Sequence, residues 1–515
     1  MFFDLEVGSL IEVVSGNRWH PGEIFRQVAG RIRRYRYEGM AAGDRVFLHF
    51  GNRLEFFADL LAIWKLGAVA IPVDGRLTAF EVLTLARAAD PRFSIIDEKT
   101  DPSTIEGVSS GSVRVMNTLD VETDAGAVPD SNFVESPAKL EDDALILFTS
   151  GSTGTPKGVV HTHGSLRARW LALRESLGLS SYRRTLCLLP THFGHGLICN
   201  CLFPWLFGQD LFIAPPYHPE LIMRLGSLID EHKITFLSSV PSLWQLALKT
   251  SRSPKAQTLE RVHCGSAPLS AHLWQEIQSW ASTKAVFNAY GITETASWVA
   301  GTTLADFTPM DGLVGKPWGA VIKILKTCDT STLWDPGMEC APGKSGYVWI
   351  NTPALMRGYL NQDHLTGQVI RKGWFLTGDI GVFDEHGVFF LKGREREEIN
   401  KSGIKIYPAD IDAVAEQFER TVDVCTFGFD DQLCGQNVGM AVVLKDTETT
   451  TIRELYWWMK SHLAEFKIPV RWYLMDSIPR SSRGKTNRSA VMKQCAGLPP
   501  VDLQNVVRDL RERPL

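Results

Sequence analysis

The stretch Thr149-Ser150-Gly151-Ser152-Thr153-Gly154-Thr155-Pro156-Lys157-Gly158 follows the apolar run Leu145-Ile146-Leu147-Phe148. A short continuous apolar run of this kind reads as a buried strand of a parallel sheet. The three glycines reach backbone conformations closed to other residues, so several N–H groups can turn toward one anion. Five hydroxyl side chains and Lys157 add donors and a positive charge. The segment reads as a cradle for a polyphosphate. A Gly/Ser/Thr tract alone is most often a solvated surface loop; the lysine, the proline and the strand in front reverse that preference. Walker A does not fit, because G-x-x-x-x-G-K-[ST] laid over Gly151 to Gly158 puts Pro156 where a glycine belongs.

Around this loop, short apolar strands alternate with amphipathic helices. Strands are expected at 46–50, 69–73 and 92–96, and again at 185–189, 211–214, 234–240, 261–264 and 285–290. Leu54, Phe57, Leu61 and Trp64 recur at helical spacing on one face, and a second helix is expected over 79–89. This alternation predicts an α/β fold, a parallel sheet with helices on both faces. Residues 97–142 are polar without clear period and read as surface loops. From Val321 the strands shorten and are broken by Gly, Pro and Asp, which predicts a small antiparallel or barrel-like unit. Beyond Gly393 a compact α+β module is expected, with helices near 408–420 and 452–463.

At 515 residues the chain is too long for one ordinary core. With 44% hydrophobic and 22% charged residues it has globular composition, and a net charge of -4 argues against a nucleic-acid binder. The nine cysteines form no C-x-x-C pair, so neither a zinc site nor a disulfide framework is expected, and a cytoplasmic location follows. The opening Met1-Phe2-Phe3-Asp4-Leu5-Glu6 is acidic rather than basic, unlike a secretory leader. The most apolar region, 197–216, is broken by Asn200, Pro204, Gly208 and Asp210. It is expected to be a buried helix and strand rather than a membrane span, which needs about 20 apolar residues.

Further motifs occur in a fixed order. They are Lys65-Leu-Gly-Ala-Val-Ala-Ile-Pro-Val-Asp74, Gly265-Ser266-Ala267-Pro268 and Asn288-Ala289-Tyr290-Gly291-Ile292-Thr293-Glu294. Gly373-Trp-Phe-Leu-Thr377-Gly-Asp379, Gly393-Arg394-Glu-Arg396 and Pro479-Arg-Ser-Ser-Arg-Gly484-Lys485 complete the series. With the loop, these resemble the adenylate-forming superfamily of acyl-CoA synthetases, peptide-synthetase adenylation domains and luciferases. The likeness runs from about Gly43 to Arg488. It implies a large N-terminal domain of doubly wound sheets over 1–393, a hinge at 394–397 and a small mobile C-terminal domain over 398–515. ATP would lie against Thr149, Ser150, Gly151, Ser152, Thr153, Gly154 and Lys157. Its adenosine would meet Gly265, Ser266, Ala267, Pro268, Asn288, Ala289 and Gly291.

The resemblance implies that the Tyr290 ring faces adenine, that Thr293 meets the α-phosphate, and that Glu294 with Thr149 ligates Mg²⁺. One protein carboxylate suffices for a cation that arrives on phosphates. Asp379 would accept from the ribose hydroxyls, Arg394 would add a nearby cation, and Arg396 would act as the pivot. Lys485 is the expected catalytic lysine: a carboxylate attacks an anionic α-phosphate, so charge must be neutralised as the bond forms. Lys157 would hold the departing pyrophosphate.

After Pro190, relatives place a histidine or aromatic residue three positions on, and this chain has Phe193 there, between His192 and His195. Phe193 can gate the acid; either histidine can hydrogen-bond it or act as a base toward the second nucleophile. The implied acid pocket is lined by Phe193, Gly196, Val240, Gly265, Ala289 and Trp298. With no acidic residue beside Phe193, amino acids are disfavoured, and aromatic, cyclic or medium-chain acids are expected. The expected reaction makes acyl-AMP and transfers the acyl group to CoA. The runner-up is an amide ligase that transfers to an amine, and third is a loader of a separate carrier protein, since too little chain follows Lys485 for a carrier domain. A monomer or a homodimer is equally compatible.

Overall fold

Leu145–Leu147 lie fully buried in the strand Asp143–Thr149, which sits inside a 7-stranded sheet. The computed structural model describes residues 6–109, 113–121, 138–149, 156–216, 218–267, 269, 271–303, 307–310, 312–328, 337–394, 399–406, 408–446, 448–479 and 488–502. In that sheet Arg45–Leu48 pairs in parallel with Val69–Pro72 and Phe93–Ile96, and Val69–Pro72 pairs in parallel with Asp143–Thr149. The neighbour of Asp143–Thr149 on its other side is the strand Lys157–Thr162. A helix begins only at His163, where the Thr162 side chain accepts from the Ser165 N–H in a capping box. Lys157 thus opens a strand, unlike the lysine of a Walker A loop, which is followed by a helix.

A second sheet has 14 strands. Its parallel part orders Val286–Ile292, Arg261–Gly265, Phe236–Ser239, Arg184–Cys187, Asp210–Ile213 and Leu10–Glu12 side by side. The alternation read from the sequence is therefore real, and both sheets are doubly wound α/β layers. The helix Pro21–Tyr37 packs on the helix Leu54–Lys65, which is buried from Phe56 to Trp64 on every side rather than on one face. Its buried Asp59 is compensated by Arg31, by the Tyr35 hydroxyl at 2.5 Å and by the Thr118 hydroxyl at 2.6 Å.

Thr118 belongs to a stretch expected to be loop. Residues 97–142 instead contain the helix Pro102–Ser109 and the strand Arg114–Asn117, which extends the first sheet in parallel. The signal is weak because this strand lies at the sheet edge and buries only Met116 fully. The unit after Val321 is antiparallel, as expected, but it is not a barrel. Its strands Val321–Leu325, Gly346–Asn351, Trp374–Phe383 and Phe389–Arg394 join the second sheet through Leu313–Pro317 and Ser297–Gly301. Among the described residues that sheet stays open, because its hydrogen-bonding edge continues the parallel part instead of closing on itself.

Chain contacts define two units, one of 1–75, 86–149 and 158–395, the other of 76–85, 150–157 and 396–515. The second holds a 5-stranded sheet with the helices Pro408–Ala415, Thr449–His462 and Arg488–Cys495. Its core includes Ile406, Ile411, Val438, Met440, Leu455 and Trp472. No described helix is long and apolar enough to cross a membrane.

Candidate active site

In open α/β sheets, ligands gather at the carboxyl ends of parallel strands. Here one side chain ties two such ends together. Asn52, just beyond the strand Arg45–Leu48, donates from Nδ2 to the carbonyls of Leu189 at 3.0 Å and Ala214 at 2.9 Å. Its Oδ1 accepts from the Thr191 N–H at 3.0 Å. The loop carrying His192, Phe193 and His195 is therefore pinned between the two sheets.

The two histidines of that loop have different environments. His195 opens a wide helix of π type, His195–Leu202, and is buried. Its Nδ1 lies 2.8 Å from Ser266 Oγ and its Nε2 lies 2.7 Å from Ser238 Oγ. Loss of water pushes it down to about 3, so it is neutral with both nitrogens engaged. His192 is partly exposed and places Nε2 3.3 Å from Asp74 Oδ2. Leu66–Val73 are packing residues, as the sequence suggests, but Asp74 leaves the core to meet this imidazole.

Gly265 ends its strand beside Ala289, and a side chain there would meet the Ala289 carbonyl oxygen at 2.5 Å. Ser266 follows with a left-handed φ of 64°, which turns the chain away from the sheet. On the next strand, Asn288 donates from Nδ2 to the Leu313 carbonyl at 2.6 Å, a structural bond. Tyr290 packs against Phe389 and gives its hydroxyl to Asp379 Oδ2 at 2.5 Å, so the buried carboxylate already has a donor. A register shift between Tyr290 and Gly291 lets the antiparallel strand approach so closely that a side chain on Gly291 would lie 2.0 Å from the Ser297 oxygen.

The turn Thr293–Thr295 is held from outside. Buried His161, pushed to about 4 by desolvation and hence neutral, donates from Nε2 to the Thr293 carbonyl at 2.8 Å. Arg169, wholly buried, donates to the carbonyls of Thr295 and Trp318 and to the Thr352 hydroxyl. Tyr359 donates to Glu294 Oε1 at 2.8 Å. Glu294 therefore presents an oriented oxygen ligand, which fits a hard cation carried on phosphates. Among the described residues no cluster of three His, Cys, Asp or Glu could hold a metal on its own.

Two family models match: that of the AMP-binding enzyme over residues 23–360, and that of the AMP-binding enzyme C-terminal domain over 410–485. The chain belongs to the AMP-binding enzyme family. It is 30% identical over 468 residues to the 2-succinylbenzoate–CoA ligase of Bacillus licheniformis, covering 90% of this chain and 91% of that one. An o-succinylbenzoate CoA synthetase structure from Bacillus subtilis superposes with a TM-score of 0.81 at 23% identity, covering 95% and 96% of the two chains. The amide bond synthetase of Marinactinospora thermotolerans superposes with 0.78 at 23% identity, covering 95% and 98%.

Of the residues expected from the sequence, the structure brings Phe193, Gly196, Val240, Gly265, Ala289 and Trp298 to the second sheet and the loops at its carboxyl edge. The ring of Trp298 lies 5.2 Å from His195, which lies 6.2 Å from Phe193. Thr149 ends its strand, Lys157 begins the next, and Ala267 follows the turn at Ser266. Ser150, Gly151, Ser152, Thr153, Gly154, Pro268, Arg396 and Lys485 lie outside the described residues, as does the side chain of Arg394. Sequence reading missed Asn52, Asp74, His161, Arg169 and Ser238 as positioning groups. Only Asp74 stood in a quoted motif. The others lie in segments whose local pattern records burial and not partners.

Proposed function

We propose that this chain is an AMP-forming acid ligase. It joins a carboxylic acid to the α-phosphate of ATP with release of pyrophosphate, then passes the acyl group to the thiol of CoA with release of AMP. The observation that carries this reading is the gathering of Gly265-Ser266, the held turn Thr293–Thr295 and the buried pair Tyr290–Asp379 at one sheet edge, in a chain matching both parts of the family.

In this reading Asp379 exchanges its Tyr290 donor for ribose hydroxyls, and Thr293 meets the α-phosphate. Lys157 holds the departing pyrophosphate while Lys485 neutralises charge as the acid attacks. Mg²⁺ would be held by Glu294 and Thr149 and would neutralise phosphate charge. Residues 394–397 serve as hinge between 1–393 and 398–515, with Arg396 as pivot. The nine free cysteines suit the cytoplasm. Acid-dependent exchange of pyrophosphate into ATP tests the activity. Its absence over a broad panel of acids would leave a nucleotide-binding scaffold instead.

One observation favours an amine as acceptor. A thiol loses its proton about two pH units below an alkyl amine, so a protonated amine has the greater need of a base before it attacks. His192, backed by Asp74, is placed to take that proton, in the manner of an imidazole oriented by a carboxylate. Products formed with CoA and with amines, offered separately, decide between the two. A thioester alone removes the amide reading.

A further inference from the structure

Three rings meet beside the expected acid pocket with their polar atoms unsatisfied. His263 is wholly buried, 4.6 Å from the ring of Trp298 and 5.8 Å from that of Trp318, which stacks on it at 28°. Both ring nitrogens of His263 and the indole nitrogens of both tryptophans have no hydrogen-bond partner. Buried polar groups nearly always have one, so four orphans in one cluster call for a ligand.

The inventory of these atoms fixes what the ligand offers. Each indole N–H is a donor only, and a neutral imidazole has one donor and one acceptor. Burial, with Arg261 and His195 nearby, keeps His263 well below its usual value and hence neutral. The cluster therefore presents three donors against one acceptor. Arg261, whose guanidinium lies over Tyr182 at 5.4 Å and Phe287 at 5.1 Å, adds positive potential that repels an amine.

The cluster also has a defined depth. His263 stands two residues before Gly265 on one strand, on the same face, at roughly 7 Å along it. That is about the span from a benzoic acid carboxyl group to its para substituent. The rings of Phe287 and Trp318 lie within 31° of the His263 plane, so the walls are flat. His195 closes the near side through Ser238, the register partner of His263.

We propose that His263, Trp298 and Trp318 form the far end of the acid pocket and select planar aromatic acids carrying a hydrogen-bond acceptor opposite the carboxyl group. This rests on the ligase reading, which puts the acid beside Gly265, Ala289 and Trp298. The acceptor is an ether or carbonyl oxygen or a second carboxylate, which share this chemistry.

Calorimetric titration of the whole protein with 4-methoxybenzoate, terephthalate and 4-ethylbenzoate tests the proposal. At least one of the two acceptor-bearing acids is expected to bind about tenfold tighter than the ethyl isostere, and which one does so tells a neutral from a charged acceptor. Trp298→Phe keeps the ring and removes the N–H. It should bring the ratio within about threefold, because the acceptor-bearing acids lose more affinity than 4-ethylbenzoate does. Trp318→Phe serves as the second variant should the first fail to fold. Equal affinities in the native protein, or equal weakening of all three acids by the substitution, would overturn the proposal. Pyrophosphate exchange with acids regardless of their para group would sink this inference alone. No exchange with any acid would sink the ligase reading.

Discussion

Acid should destabilise the first unit steeply, because its buried histidines include His161, His163, His195 and His263, all held neutral. Desolvation holds His161 and His163 at about 4 and His195 at about 3, and keeps His263 well below its usual value. In the unfolded chain each returns to about 6.5. As pH falls from about 6.5 to about 4, the unfolded state binds up to four protons that the folded state refuses, so stability falls with pH. One pKa unit corresponds to about 1.4 kcal/mol, so the slope approaches 5 kcal/mol per pH unit at most. Above pH 7.5 these groups contribute no slope. Urea midpoints followed by tryptophan fluorescence at pH 7.5 and 5.5 give the stability change. Proton uptake on unfolding at pH 5.5, read in weak buffer, should fall by about one in His163→Gln. A midpoint that stays level from pH 7.5 to 5.5, or an uptake that the variant leaves unaltered, would refute the assignment of neutral buried imidazoles.

Tyr290→Phe removes a donor from the buried Asp379 carboxylate and should lower stability by about 1.5–3 kcal/mol without nucleotide. The loss should shrink with saturating AMP, whose ribose replaces the donor; an equal loss in both conditions would speak against Asp379 as the ribose acceptor. Gly265→Ala drives a methyl group onto the Ala289 carbonyl, so it should destabilise the protein by about 1–3 kcal/mol and weaken AMP binding. Thermal shifts with and without AMP check both effects. Lys485→Ala should abolish pyrophosphate exchange while sparing transfer from supplied acyl-adenylate, and loss of both half-reactions alike would contradict its role.

The elements most legible in the sequence were those written in local pattern. The helix over 79–89 appears at its expected bounds, and the strands expected near 261–264 and 285–290 appear as Arg261–Gly265 and Val286–Ile292. Arg114–Asn117 escaped because an edge strand with little burial leaves little period. The open sheet after Val321 was equally hidden, since alternation along a strand does not say which neighbour its edge will find. The site divides the same way. The Tyr290 and Asp379 motifs were visible one by one, but their hydrogen bond spans 89 residues.

By itself the sequence determined the family and the alternating α/β architecture, because strand period and motif chemistry reside in neighbouring residues. Tertiary structure alone decided which histidine beside Phe193 stays accessible. Burial neutralises His195, whose ring nitrogens meet Ser266 and Ser238, 71 and 43 residues away, and His192 finds Asp74 just past the strand Val69–Pro72. Protonation depends on solvent exclusion and on partners that folding brings from distant segments, and no local pattern of residues records either.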